Sequence, residues 1–156
     1  MTAMPTNMGG TPVARAALVI DDDESFRAAL RDLLEQRGLS VRTAADAFEA
    51  SREIAAGRFD VVITDIRMPG GGFAVLDEIG AKRMRVPVIL ITGSSSPEWK
   101  ARAESEGAFA YLTKPVGKEE ILTVLRRAFE RGRGPAELRG LPAEKSREPM
   151  RAGGVG

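Results

Sequence analysis

The sequence predicts an α/β fold built on a doubly wound, five-stranded parallel sheet. Two observations lead there. Five short apolar runs alternate with five stretches of helical periodicity between Ala17 and Phe129, and strands that alternate with helices pair in parallel under helices on both faces. Two of the runs, VVIT (Val61–Thr64) and the VILIT portion of Val86–Thr92, lack polar alternation, as strands buried on both sides do.

The elements follow in order. ALVI, Ala17–Ile20, is the first strand; Phe26, Leu30, Leu33 and Leu34 then recur at helical spacing before Gly38, a good helix stop. SVRTA, Ser40–Ala44, is the second strand. Asp46 is placed to cap a helix that carries Ala47, Ala50 and Ile54 and ends at Gly57. VVIT is the third strand, and Phe73, Leu76 and Ile79 mark the third helix. VPVILIT, Val86–Thr92, leads to a fourth helix from Pro97 to Glu106, with proline in its first turn and Gly107 behind it. AFAYL, Ala108–Leu112, is the fifth strand, and Ile121, Leu125, Ala128 and Phe129 line the fifth helix. Residues 1–13, small and uncharged, read as a disordered leader, 14–131 as the folded domain, and 132–156 as a flexible basic tail.

Composition removes several function classes. A chain of 156 residues with 43% hydrophobic content suits one domain with a genuine core. The formal charge of +1 predicts no strong pull toward nucleic acid or membrane. It hides an asymmetry: six basic and three acidic residues lie from Arg131 onward, against 17 and 19 before it. The tail has no aromatics and no helix-turn-helix pattern, so no direct nucleic-acid contact is expected. Without cysteine there is no disulfide, thiol nucleophile or zinc-thiolate site; without histidine there is no imidazole base and no phosphohistidine within the chain. No apolar run approaches the roughly 18 residues of a membrane span, and no signal-like start is present. A cytoplasmic protein is the expectation.

Chemistry in such sheets gathers beyond the carboxyl ends of the strands. There the sequence places Asp21, Asp22 and Asp23 after the first strand, Asp65 after the third, Thr92 after the fourth and Lys114 after the fifth. Crowded carboxylates are tolerated when a hard divalent cation such as Mg²⁺ sits among them, because it takes oxygen ligands and offsets their repulsion. Asp23 and Glu24 suit the positive N-terminus of the first helix instead.

The segments VIDDDESFR, VVITDIRMPGG, VILITG and AYLTKPV, in that order, resemble the motifs of the response-regulator receiver domain of two-component signalling, over about residues 15–131. The resemblance implies a flavodoxin-like (βα)5 receiver fold. It implies that Asp65 is the phospho-acceptor and that a histidine kinase or histidine phosphotransfer protein is the donor. Asp22 would ligand Mg²⁺ directly, Asp21 through water, with Asp65 and the backbone carbonyl of Arg67 completing the set. Lys114 would pair with Asp65 and then with the phosphoryl oxygens, Thr92 would donate its hydroxyl to them, and Tyr111 matches the aromatic that turns inward as the threonine moves. The Lys114–Pro115 bond is cis in similar domains. Transfer of this kind needs mainly positioning and charge neutralisation. The output would be a changed face of fourth helix, fifth strand and fifth helix, regulating a downstream protein or a homodimer.

One departure stands out. Family members often place two residues, one acidic, between MPG and the next glycine, whereas MPGGG (Met68–Gly72) is one residue shorter and has no acid. Arg67 occupies a position that tunes phosphate lifetime in the family. Taken singly, each motif has an ordinary reading: a capping cluster at Asp21–Asp23, a turn at Asp65 or Thr92, a surface lysine at Lys114, a core ring at Tyr111. Their joint order overturns those readings. Trp99, the only tryptophan, is core or a contact residue on the fourth helix.

The expected function is therefore a stand-alone phospho-switch and not an enzyme. A receiver-like adaptor that is never phosphorylated is the alternative. A haloacid-dehalogenase-type Mg²⁺ phosphatase ranks lower, since that class needs a second acid where this chain has Arg67. GSSSPEWK lacks the Gly-Lys-Ser/Thr ending of a phosphate-binding loop.

Overall fold

The computed structural model describes residues 15–131; the leader and tail expectations lie outside them. Five strands alternate with five helices: β1 (Ala16–Ile20), α1 (Glu24–Gln36), β2 (Ser40–Ala44), α2 (Ala47–Ala56), β3 (Val61–Asp65), α3 (Gly72–Ala81), β4 (Val88–Thr92), α4 (Pro97–Ser105), β5 (Ala110–Thr113) and α5 (Lys118–Arg131). All pairings are parallel, in the order β2-β1-β3-β4-β5. The predicted architecture holds, and the strand order is new information from the structure.

Residue chemistry explains the elements. Every residue of β3 and β4 is buried, whereas the edge strand β2 alternates toward solvent. Burying each large aliphatic side chain, Leu18, Ile63 and Ile89 among them, contributes roughly 1.5–3 kcal/mol. Asp23 caps α1 by accepting from the Ser25 and Phe26 amides, and Asp46 caps α2 by accepting from Glu49. The Glu49 carboxylate reaches back to the Ala45 amide, a reciprocal arrangement close to a capping box. Ser96 caps α4, with Pro97 in the first turn.

Two strand starts differ from expectation by two residues, and the other stated bounds by one at most. The fourth strand begins at Val88 rather than Val86, because Pro87 has no amide to donate and meets the sheet only through its carbonyl, which accepts from Val62. The fifth begins at Ala110 rather than Ala108, whose amide closes the end of α4 on the Ala103 carbonyl. The order β2-β1-β3 reverses the winding direction between β1 and β3. At such a switch point the loops leave on opposite faces and a crevice opens, and Asp21 and Asp65 stand on its two sides.

Candidate functional site

Oxygen atoms of Asp21, Asp22 and Asp65 lie within 4.8 Å of one another. Asp21 is 1% and Asp65 7% exposed, while Asp22 stands open at the rim. Each buried carboxylate is anchored through one oxygen: Asp21 Oδ1 accepts from the Asp23 amide at 2.8 Å, and Asp65 Oδ1 from the Arg67 amide at 3.1 Å. The Arg27 guanidinium donates to the Asp21 carbonyl at 2.6 Å. The remaining oxygens share Lys114, whose Nζ is 2.8 Å from Asp21 Oδ2 and 3.5 Å from Asp65 Oδ2.

The lysine therefore reaches Asp65, as the resemblance implies, and lies closer still to Asp21. Its ammonium also lies 4.1 Å from the ring centroid of Phe26 on α1, and this cation–π contact draws it to the β1 side. Burial opposes the charge on Lys114, but hydrogen bonding and charge from Asp21, then from Asp65, outweigh it and raise its pKa. The Asp65 carboxyl is pushed above its ordinary value, first by burial and then by the charge of Asp21, against the Arg67 amide and Lys114. Three carboxylates and one ammonium leave two negative charges in the cluster. An all-oxygen set with that deficit fits a hard divalent cation.

An ionised Asp65 is thus held at a cost to folding. With its folded-state pKa raised, the cost is absent below the unfolded value and grows as pH rises through the folded one. Asp65→Asn is expected to stabilise the protein by about 0.5–2 kcal/mol at neutral pH. Urea denaturation in chelator checks this, and the gain should vanish near pH ~4.

Thr92 ends β4 and Tyr111 lies in neighbouring β5. The Thr92 hydroxyl accepts from the Ser94 amide at 3.1 Å and donates to the Ser94 carbonyl at 3.2 Å, so it belongs to its own loop. Tyr111 is 0% exposed, its hydroxyl 3.0 Å from Ser95 Oγ. The ring is already inside, because Ser95 gives its buried hydroxyl a partner. The Lys114–Pro115 bond is cis.

The shortened loop is tightly tied. Gly71 donates to the Met68 carbonyl, Gly72 to the Ile66 carbonyl, and the Pro69 carbonyl accepts from Ala47 on α2. Gly70 and Gly71 both take positive φ, 86° and 81°, which lets the chain turn with one residue fewer. Sequence reasoning passed over Phe26, Arg27, Ser95 and Gly72 as parts of the site. Only the glycine run hinted at one of them. Trp99 packs half-buried, edge-on to Phe73 with centroids 6.5 Å apart. The exposed large hydrophobic among the described residues is instead Phe48, at 76%.

Comparison with known proteins agrees with this geometry. A family model described as the response regulator receiver domain matches residues 17–126. The chain is 36% identical over 129 residues to the C4-dicarboxylate transport transcriptional regulatory protein DctD of Rhizobium meliloti (strain 1021), covering 82% of this chain and 28% of that regulator. It spans less than a third of the length of the curated relatives it matches first. Among solved structures, a response regulator receiver domain protein (CheY-like) from Methanospirillum hungatei JF-1 superposes with a TM-score of 0.74 at 25% identity, covering 83% of this chain and 100% of that one. A beryllofluoride-activated NtrC4 receiver domain dimer gives 0.70 at 35% identity, covering 74% and 97%. The (βα)5 topology, the acids at its switch point and the family match over most of the described residues agree: the chain belongs to the receiver domain family of two-component response regulators, which accept a phosphoryl group on an aspartate.

Proposed function

We propose that Asp65 is the acceptor and that the donor is a phosphohistidine of a histidine kinase or histidine phosphotransfer protein. The observation that carries this is the cluster of Asp21, Asp22 and Asp65 oxygens within 4.8 Å, with Lys114 against two of them. None of these 156 residues is a histidine, so the donor lies outside them. An Asp65 oxygen attacks phosphorus, the P–N bond breaks, and the donor imidazole leaves with the electron pair. Asp22, Asp65 and the Arg67 carbonyl would hold Mg²⁺, with Asp21 acting through water. When bound, the ion supplies charge neutralisation for the phosphoryl oxygens.

Lys114 then has a second task. Its 3.5 Å separation from Asp65 leaves the ammonium free to turn to the phosphoryl oxygens. Thr92 would exchange its Ser94 backbone contacts for a bond to the phosphoryl group. That loosens Gly93–Ser96, the segment that caps α4 and holds Tyr111 through Ser95. The α4-β5-α5 face would thereby change its contacts with a downstream protein or a second copy. The activated dimer of the NtrC4 receiver domain supports the second-copy reading. Cytoplasmic placement is part of this proposal, and no helix among the described residues is long and apolar enough to cross a membrane.

Intact-mass analysis after incubation with acetyl phosphate and Mg²⁺ tests the assignment. One added phosphoryl group is expected, absent in Asp65→Asn and blocked by chelator. An adduct that survives Asp65→Asn overturns the acceptor. No adduct at all, with no Mg²⁺-dependent response to beryllofluoride, leaves the unphosphorylated adaptor as the better reading.

A further inference from the structure

A second concave site lies at the opposite pole of the sheet. Arg15, Arg37, Leu39, Leu122, Arg126 and Phe129 line a groove of about 440 Å³ between the C-terminal end of α1, the start of β2 and α5. Arg15 immediately precedes β1 and Leu39 precedes β2, so the groove lies at the amino ends of β1, whose carboxyl end carries Asp21 and Asp22, and of its neighbour β2. A five-residue strand puts about 16 Å between the two ends of β1. No role assigned to the acid pocket uses any of these residues.

The groove combines an apolar floor with a guanidinium rim. Leu122, Leu125 and Phe129 recur at helical spacing on α5 and meet Leu39 from the other wall. Among the described residues, Arg15, Arg37 and Arg126 have no carboxylate within 4.0 Å. The Arg15 guanidinium instead lies 4.6 Å over the Phe129 ring. Glu130 is the one acid in the lining. Three exposed arginines against one glutamate leave a positive surface, and the planar guanidinium fork matches carboxylates better than any other side chain does.

Charge also decides the occupant. Residues 1–14 carry no charged side chain, and residues 132–156 carry five basic and three acidic residues. Neither of these two stretches offers surplus carboxylates to this rim. We propose that the groove docks an acidic segment of a partner protein, with an apolar side chain on the Leu39–Leu122–Phe129 floor and carboxylates on Arg15, Arg37 and Arg126. The dock leaves the acid pocket uncovered, so it holds a partner in either phosphorylation state.

The test is an NMR titration of the full chain with a short synthetic peptide of glutamate and leucine, beside its glutamine counterpart. Amide shifts are expected at Leu39, Leu122 and Phe129, with binding that weakens as salt rises. The Arg15→Gln/Arg126→Gln variant should bind about tenfold more weakly or worse while keeping the amide spectrum of the folded chain and its labelling by acetyl phosphate. Absence of shifts, shifts confined to the acid pocket, or equal binding of the glutamine peptide overturns the proposal. So does binding to phosphatidylglycerol vesicles without binding to the peptide, or concentration-dependent self-association that the arginine variant abolishes. Acetyl phosphate labelling is read separately, so a failed acceptor assignment and a failed dock are told apart.

Discussion

Gly72→Ala is expected to destabilise the protein by about 3 kcal/mol or more and to slow acetyl phosphate labelling roughly a hundredfold. Gly72 opens α3 directly behind β3, where its amide bonds the Ile66 carbonyl. A methyl group there would overlap the Asp65 carbonyl oxygen and lie 2.9 Å from the Ile66 Cα. Those neighbours are backbone atoms of β3 and its exit, which no rotamer change can move aside. Overpacking against side chains typically costs about 1–3 kcal/mol; against a strand end held by its ladder the cost sits at or beyond the top of that range. The same shift moves the Asp65 carboxylate, and a displacement of about 1 Å in a reacting group lowers rate by roughly 10². Gly80→Ala is the control within the same helix. No atom lies within 4 Å of the methyl group it adds, so it should stabilise by about 0.5–1 kcal/mol. Urea midpoints and labelling rates of the two variants separate steric overlap from helix propensity. Equal midpoints would show that the loop relaxes freely around position 72.

Much of this site is legible in the residues alone, and the legible parts share a physical cause. VVIT and VILIT announce buried parallel strands because burial on both faces leaves no room for polar alternation. The acids and Lys114 stand out because charge at the end of an apolar run has few structural uses. What stays hidden depends on distances between segments. Nothing local says that β3 rather than β2 separates β1 from β4, although that order brings Asp21 and Asp65 together. Phe26 reads as one more apolar position in the α1 stripe, yet its ring faces the Lys114 ammonium and biases it toward Asp21. Ser95 looks like one serine of three until Tyr111 arrives from β5. The basic groove is the extreme case: Arg15, Arg37 and Arg126 come from three places in the chain and form no motif.

Lys114→Ala is expected to lose about 2–4 kcal/mol in chelator and to recover most of it when Mg²⁺ is added. The variant leaves Asp21, 1% exposed, facing Asp65 with no cation between them. Stripping one partner from a buried pair costs roughly 3–5 kcal/mol; the figure here is lower because the Lys114 side chain keeps 20% of its exposure. Loss of the contact with Phe26 adds a smaller amount, about 0.5–1 kcal/mol. The pH dependence follows from the raised Lys114 pKa. A cation with a raised folded-state pKa contributes its stability fully below the unfolded value and loses it as pH rises through the folded one, above 10.5. The deficit therefore persists through neutral pH, and acid shrinks it only as the carboxylates protonate. A divalent cation binding Asp21, Asp22 and Asp65 removes the same repulsion, and its binding adds stability in proportion to the logarithm of its concentration. Denaturation midpoints of wild type and Lys114→Ala, each in chelator and in Mg²⁺, give the answer. A deficit that Mg²⁺ leaves unchanged would mean that Asp21 and Asp65 hold the lysine but the three acids do not hold the metal. A deficit that Mg²⁺ restores in Lys114→Ala, and fails to restore once Asp22→Asn is added, assigns the ion to the acids at the switch point.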